Sequence, residues 1–411
     1  MSEFLQLLPP PAALAALLDK LTVTCQSEHI PTVDALGRVM SQPVVAPFSL
    51  PSFPRSTVDG YAVKSADTHG ASESLPAYLQ LIGEVPMGGT PDFTVGKGQC
   101  AIIHTGGMLP AGADAVVMVE FTQQAMDDEI EMLRAVGNGE NVLQIGEDVT
   151  AGDVVLAAGV RVRSAEIGGL MALGYPEVSV AKKPRVGILS SGDEVIPPGQ
   201  PLQHGQIYDI NSYTLKALVE QTGGIAQTYG IIPDNAAAFS DYANRALADN
   251  DIVIFTAGSS VSVRDLTAQT IDRLGSPGVI VHGVNVRPGK PTILAVCDGK
   301  PVIGLPGNPV SALVIAGIFV TAVIEQFLGR DQTRGVNPTV SGRLTTNLAS
   351  QSGREDWVAV RLVPTETGYD VDPVFGKSNL IFTLARADGL LRIHPDANGI
   401  AAGSTVQVQL L

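Results

Sequence analysis

Residues 185–194 read Arg-Val-Gly-Ile-Leu-Ser-Ser-Gly-Asp-Glu: an apolar run that ends in two hydroxyls, a glycine and two carboxylates. That is the pattern of a buried strand running out into a polar loop. Downstream the same theme alternates with helical spacing. A helix is expected near Ser212–Gln221, a strand in TYGII (228–232), a helix near Ala236–Ala248, a strand in DIVIFTAG (251–258) and a helix near Arg264–Leu274. Strands in GVIVHGV (278–284), PTILAV (291–296) and PVIGL (301–305) follow. Such alternation predicts a doubly wound, mainly parallel sheet, with function concentrated on the loops at the strand carboxyl ends.

Working outward, residues 12–21 have helical apolar spacing, after which the chain becomes rich in Pro and Gly. Short β-type runs follow in AYLQLIGEV (77–85), QCAIIHT (99–105), AVVMVEF (115–121) and EIEML (129–133). A helix is expected over Ser164–Leu173, and Lys182-Lys183-Pro184 marks the entry to the alternating region. Beyond it, GRDQTRGVNP (329–338) reads as a linker, and DWVAVRLV (356–363) and STVQVQL (404–410) as strands of a small barrel or sandwich. The fold class expected is therefore multidomain α/β, with β-rich units flanking a central doubly wound domain and a barrel-like carboxyl-terminal domain.

Bulk properties narrow the partners. A chain of 411 residues with formal charge −15 repels phosphate backbones and anionic membrane surfaces, so neither nucleic acid nor membrane is an expected partner. An anionic ligand must be held by local cations. Cys25, Cys100 and Cys297 are odd in number and lack CxxC spacing, which argues against a disulfide framework or a thiolate zinc site and fits a cytoplasmic protein. The amino terminus lacks the pattern of a secretory signal. The longest uncharged apolar stretch, Val310–Ile324, falls short of the roughly 20 residues that span a bilayer and reads as a buried helix.

Several loops carry chemistry. In Gly304-Leu305-Pro306-Gly307-Asn308-Pro309-Val310-Ser311-Ala312, Asn308 suits an N-cap and Pro309 the first helical position, so backbone N–H groups would face the loop as an anion site. Gly304 and Gly307 would let a ligand approach, and Ser311 could donate a hydroxyl; an ordinary capped helix is the competing reading. Arg287 and Lys290, in RPGKP, place two cations on a stiff turn suited to an oxyanion, or else to solvent. Ser191, Gly192 and Glu194 follow one strand, Asp209 and Asn211 lie in the next loop, and Ser260 and Asp265 follow another. As a group facing one crevice these fit substrate or hydrated magnesium; singly, helix capping is the simpler account. The six histidines have no zinc-ligand spacing, and no Walker, GxSxG or GxGxxG motif occurs.

Taken in order, PRSTVDGYAV, HTGGMLPAGADAVV, GEDV, SSGDEV, IYDIN, AGSSVSVRD, RPGKP and GLPGNPVSA make a series that resembles the molybdopterin molybdenumtransferase family, which includes the carboxyl-terminal domain of gephyrin. The resemblance spans nearly the whole chain. It implies an elongated four-domain homodimer: residues 1–50 with 140–180, 51–139, 181–330 and 335–411. It also implies insertion of molybdate into adenylyl-molybdopterin, with release of AMP and use of magnesium, and the molybdopterin adenylyltransferase as a partner enzyme. Functional acids would fall on Asp59, Asp148, Glu194, Asp234 and Asp265, with Thr105 beside them; Asp59, Glu194, Asp234 and Asp265 would serve the metal. Pro54, Arg287 and Ser259-Ser260 depart from the family pattern. Adenylyl transfer to molybdopterin and a non-catalytic dimeric scaffold are the alternative functions.

Overall fold

The computed structural model describes residues 7–233, 235–256, 261–330 and 338–411, with side chains of 261–265 excepted. The chain divides into two compact units. One comprises Met1–Gln42, Ala158–Arg163 and Glu177–Leu411, the other Pro43–Ala157 and Ser164–Pro176.

The larger unit is built on the alternating region. In chain order its elements are β1 (Arg185–Ser191), α1 (Asn211–Thr222), β2 (Ile225–Ile232), α2 (Ala236–Asp249), β3 (Ile252–Thr256), α3 (Val261–Arg273), β4 (Pro277–His282), β5 (Ile293–Cys297), β6 (Lys300–Leu305) and α4 (Pro309–Phe327). The sheet order is β2-β1-β3-β6-β5-β4. The pairings β1–β2, β1–β3 and β3–β6 are parallel, whereas β5 runs antiparallel to both neighbours. From β1 the chain steps outward to β2 and then back past β1 to β3, which puts the topological switch point between β1 and β3.

Both faces of this sheet are covered, which is why its strands read as continuous apolar runs. Side chains alternate: Val186, Ile188, Ile252 and Ile254 pack with Leu215 and Val219 of α1 and Phe319 of α4. Leu189, Val253 and Phe255 point the other way, onto Phe239 and Ala243 of α2 and Ile271 of α3. The helix α4 is 19 residues, longer than the expected 310–324, and passes a length-and-composition test for a membrane span. Ten of its residues are nevertheless buried, among them Ile315, Phe319, Val323 and Ile324, so its hydrophobicity is spent on the sheet. The amino-terminal helix runs Pro10–Leu18, with proline tolerated in its first turn, and buries Ala13 and Leu17 in the same core.

In the carboxyl-terminal part, strands Thr339–Leu344, Glu355–Thr365, Gly368–Pro373, Gly389–Ile393 and Thr405–Leu410 close into a five-stranded barrel. Closure comes from the pairing of Glu355–Thr365 with Gly389–Ile393. The short strand Val286–Arg287 joins it in parallel, with Arg287 opposite Asp356. The linker expected at 329–338 lies, apart from its ends, outside the described residues.

The second unit holds a six-stranded sheet ordered Ala115–Met118, Gly60–Val63, Gln99–Ile103, Ala77–Glu84, Glu129–Met132, Thr122–Met126. Gly60 is required where two of these strands meet. A Cβ there would lie 1.9 Å from the Val117 carbonyl oxygen, so no larger residue fits the pairing. The glycine of the VDGYAV motif is thus set by strand contact.

Candidate active site

Within the larger unit the carboxyl ends of β1, β3 and β6 share one edge of the sheet because those strands are parallel. There Ser190 and Ser191 end β1, buried to 3% and 4% exposure. Thr256, the last residue of β3, donates its hydroxyl to Ser190 Oγ at 3.5 Å. The amino end of α1 reaches the same edge: Asp209 Oδ1 accepts from the Ser212 N–H at 3.1 Å, and Asn211 Nδ2 donates to the Gly307 carbonyl at 2.9 Å. At this edge three buried polar atoms have no partner among the described residues: Ser191 Oγ, Asn211 Oδ1 and Ser212 Oγ. Each such atom costs about 1–3 kcal/mol when nothing pairs with it, so three of them on elements that reach one sheet edge make that edge the candidate ligand site.

The turn after β6 departs from the simplest reading of its sequence. Asn308 is the N-cap residue of α4, yet its side chain does not cap; Nδ2 donates instead to Ser378 Oγ at 2.9 Å. The Ser378 carbonyl accepts from the Val310 N–H at 3.0 Å, so one of the helix's first donors is already committed. Gly304 stands inside β6, where a Cβ would lie 3.0 Å from Ile293 Cβ; its smallness serves packing and the loop proper begins at Pro306. Ser311 is buried in the first turn of α4.

On the neighbouring turn, Gly289 has φ +121°, and a Cβ there would meet Ile315 Cγ1 at 2.2 Å. The loop carrying Arg287 and Lys290 is therefore pressed backbone-first onto α4. Its carbonyls are tied down as well, since Thr292 Oγ1 donates to Gly289 O at 2.6 Å and Val284 N to Lys290 O at 3.0 Å. Both cations remain exposed at its rim.

In the second unit Asp59 Oδ1 accepts twice from Thr105, from the backbone N–H at 2.7 Å and from the hydroxyl at 3.2 Å. His104 Nδ1 lies 3.6 Å from the same oxygen, and His104 Nε2 lies 3.0 Å from Glu84 Oε1. The Thr105 backbone N–H, then its hydroxyl, with a smaller contribution from His104, hold the Asp59 carboxyl below the usual carboxylate range. Asp59 is thereby an ionised group whose Oδ2 has no partner among the described residues. Asp148 is exposed, and its N–H donates to the Leu50 carbonyl at 3.0 Å.

Three family models match successive stretches: the MoeA N-terminal region (domain I and II) over residues 8–174, a probable molybdopterin binding domain over 187–326, and the MoeA C-terminal region (domain IV) over 341–411. A molybdopterin molybdenumtransferase from Nostoc is 35% identical over 95% of this chain and 90% of its own length. The chain belongs to the molybdopterin molybdenumtransferase family. A family enzyme from Haemophilus influenzae is 33% identical over 97% of each chain. The crystal structure of a molybdopterin biosynthesis MoeA protein from Pyrococcus horikoshii superposes with TM-score 0.85 at 30% identity, covering 99% of this chain and all of that one.

For this member of the family, the structure brings Ser191, Gly192, Asp209, Asn211 and Gly307 to one edge of the doubly wound sheet, with Asn308 and Ser311 in the adjoining turn. It brings Asp59 and Thr105 together in the second unit. Glu194 is exposed in the loop after β1. Asp234 and Ser260 lie outside the described residues; Asp265 sits in α3, with its side chain outside them. Among the described residues no group of three or more His, Cys, Asp or Glu side chains is arranged to hold a metal. Sequence reasoning missed Ser212, whose hydroxyl is one of the three unpartnered atoms, and His104, for which the sequence shows only a lack of zinc-ligand spacing. It also missed Ser378, which fastens the turn from far along the chain; only the HTGGM motif gave any signal for these.

Proposed function

We propose that this chain is a molybdopterin molybdenumtransferase that inserts molybdate into adenylyl-molybdopterin with release of AMP. The observation that carries the reading is the trio of buried, unpartnered polar atoms, Ser191 Oγ, Asn211 Oδ1 and Ser212 Oγ, at the strand-end edge of the domain that matches a molybdopterin-binding model. Two hydroxyls that can donate or accept and one amide oxygen that only accepts suit a ligand rich in both phosphate oxygens and N–H or O–H groups.

The residues divide the work by chemistry. Ser191, Asn211 and Ser212 bind and orient the nucleotide-capped pterin, and the Asn211–Gly307 bond keeps the α4 turn in register with that site. Arg287 and Lys290 supply the cations that an acidic chain needs for a tetrahedral dianion. Magnesium is usually held through one or two carboxylates plus substrate phosphates and water. In the larger unit Glu194 offers an exposed carboxylate for it, with Asp234 and Asp265 as further candidates, and in the second unit, taken by itself, Asp59 offers another. When bound, the ion would offset charge on the departing AMP phosphate. We further propose that the enzyme works as a homodimer.

The test is an incubation of purified protein with adenylyl-molybdopterin, magnesium and molybdate, following AMP and active cofactor. AMP release that depends on both molybdate and magnesium is expected, with Asp59→Asn and Asp265→Asn each slowed at least about tenfold, the scale of one lost transition-state interaction. Release indifferent to molybdate, from a folded protein, would overturn the reading.

A further inference from the structure

The barrel contributes a buried carboxylate to the cationic turn. Arg287 lies directly opposite Asp356 in the parallel pairing of Val286–Arg287 with the barrel strand Glu355–Thr365. The Asp356 side chain is only 5% exposed. Its two oxygens are gripped side-on by Arg354, with Nε 2.7 Å from Oδ1 and Nη2 3.0 Å from Oδ2. Arg287 Nη1 lies 3.8 Å from the same Oδ2, an ion pair longer than a hydrogen bond, and the Arg287 side chain is 65% exposed with no other partner among the described residues. The backbone holds this arrangement in place: the Glu355 N–H donates to the Asn285 carbonyl at 3.2 Å, and the Asn285 amide donates to the Gly353 carbonyl.

The neighbouring acid has a different role. Glu355 accepts from Trp357 Nε1 at 2.8 Å on one oxygen and from Arg392 Nη2 at 2.6 Å on the other, so both its oxygens are engaged within the barrel. Asp356 instead carries one negative charge between two guanidiniums, so the group as a whole keeps one net positive charge. A buried carboxylate locked by a bidentate partner is a fixed reference point, whereas an exposed arginine on its own samples many rotamers. Drawn toward Asp356 by a long ion pair rather than a hydrogen bond, Arg287 keeps its N–H groups free and its range of orientations narrowed for meeting an anion.

We propose that Asp356 is a positioning residue: locked by Arg354, it holds the Arg287 guanidinium in the orientation that receives the substrate oxyanion. The inference rests on the reading of Arg287 as an oxyanion contact. Where the family pattern has lysine, the guanidinium offers a planar fork that can face the carboxylate with one edge and the oxyanion with another.

The experiment measures molybdate binding directly by calorimetry on the intact protein, alongside the KM for molybdate, the KM for adenylyl-molybdopterin and kcat. Asp356→Asn is nearly isosteric and is expected to weaken molybdate at least about tenfold with little change in the KM for the capped pterin. On an Arg287→Gln background the same change should cost less than about twofold, because the residue acts through Arg287. Asp356→Glu keeps the charge but shifts it by one methylene, and is expected to weaken molybdate about threefold, so it also serves if the asparagine variant does not fold. Molybdate affinity within twofold of wild type in the folded variants, or an equal loss with and without Arg287, would overturn the proposal. Wild-type protein that binds molybdate yet shows no molybdate-dependent AMP release would instead count against the proposed function alone.

Discussion

Asn211 donates its side-chain amide to the Gly307 carbonyl at 2.9 Å, while its own oxygen is buried and, like Ser212 Oγ, has no partner among the described residues. An apolar site would have been the more stable choice. Stability and function should therefore separate here: Ser191→Ala and Ser212→Ala each remove a buried orphan hydroxyl and are expected to leave thermal stability unchanged or to raise it by up to about 1 kcal/mol. Both should lower kcat/KM for adenylyl-molybdopterin about tenfold. Melting curves with parallel kinetics check this, and a variant destabilised by more than about 2 kcal/mol would show the hydroxyl to be structural.

The Asp59–Thr105 pair makes a pH prediction. The Asp59 carboxyl is held below its ordinary value chiefly by the Thr105 N–H and next by the hydroxyl. Its contribution to stability is fully present above about pH 4, the ordinary carboxylate value, and is lost as pH falls through the lower folded-state value. Thr105→Val removes the hydroxyl and keeps the N–H. The Asp59 titration midpoint, followed by carboxyl-carbon NMR, should rise part of the way toward the ordinary value. No movement would mean that the hydroxyl bond at 3.2 Å contributes nothing.

Gly60→Ala is expected to destabilise the protein by about 1–3 kcal/mol, the usual cost of forcing an extra carbon into a packed site. The added carbon would lie 1.9 Å from the Val117 carbonyl oxygen, so two strands must part. Because Asp59 precedes it and accepts the Val119 N–H through its own carbonyl, activity should fall along with stability. Chemical denaturation with unchanged midpoint would refute this.

The thiols sort by burial. Desolvation pushes Cys100 and Cys297 up to about 12, and both are buried, whereas Cys25 is half-buried. Iodoacetamide at pH 8 should modify the native protein at Cys25 first and reach the other two only after unfolding. Peptide mass mapping of the native adduct reads the outcome, and early label at Cys100 or Cys297 would contradict it.

The doubly wound sheet could be read from the sequence because both of its faces are covered, so β1, β3 and β6 are written as unbroken apolar runs between helix-period segments. Boundaries shifted where the tertiary context decided them. The helix α4 outran its expected end because Phe327 remains packed against the core. Gly304 falls both in the expected strand 301–305 and in the expected ligand turn, and the structure keeps it in the strand, because glycine does not distinguish a turn from a tight strand contact. The positions of Ser191, Asp209 and Asn211 at strand or helix ends were legible. What could not be read were contacts between residues far apart in the chain: Ser378 on the Asn308 turn, Asp356 beside Arg287, and His104 between Asp59 and Glu84. Each pairs a motif residue with a side chain brought in by sheet register or loop packing, and no local pattern encodes that.

The most direct measurement is a crystal structure of the protein with molybdate and adenylyl-molybdopterin bound. The account predicts ligand polar atoms within hydrogen-bond distance of Ser191 Oγ, Asn211 Oδ1 and Ser212 Oγ. A ligand seated elsewhere, with those three atoms still unpartnered, would contradict it.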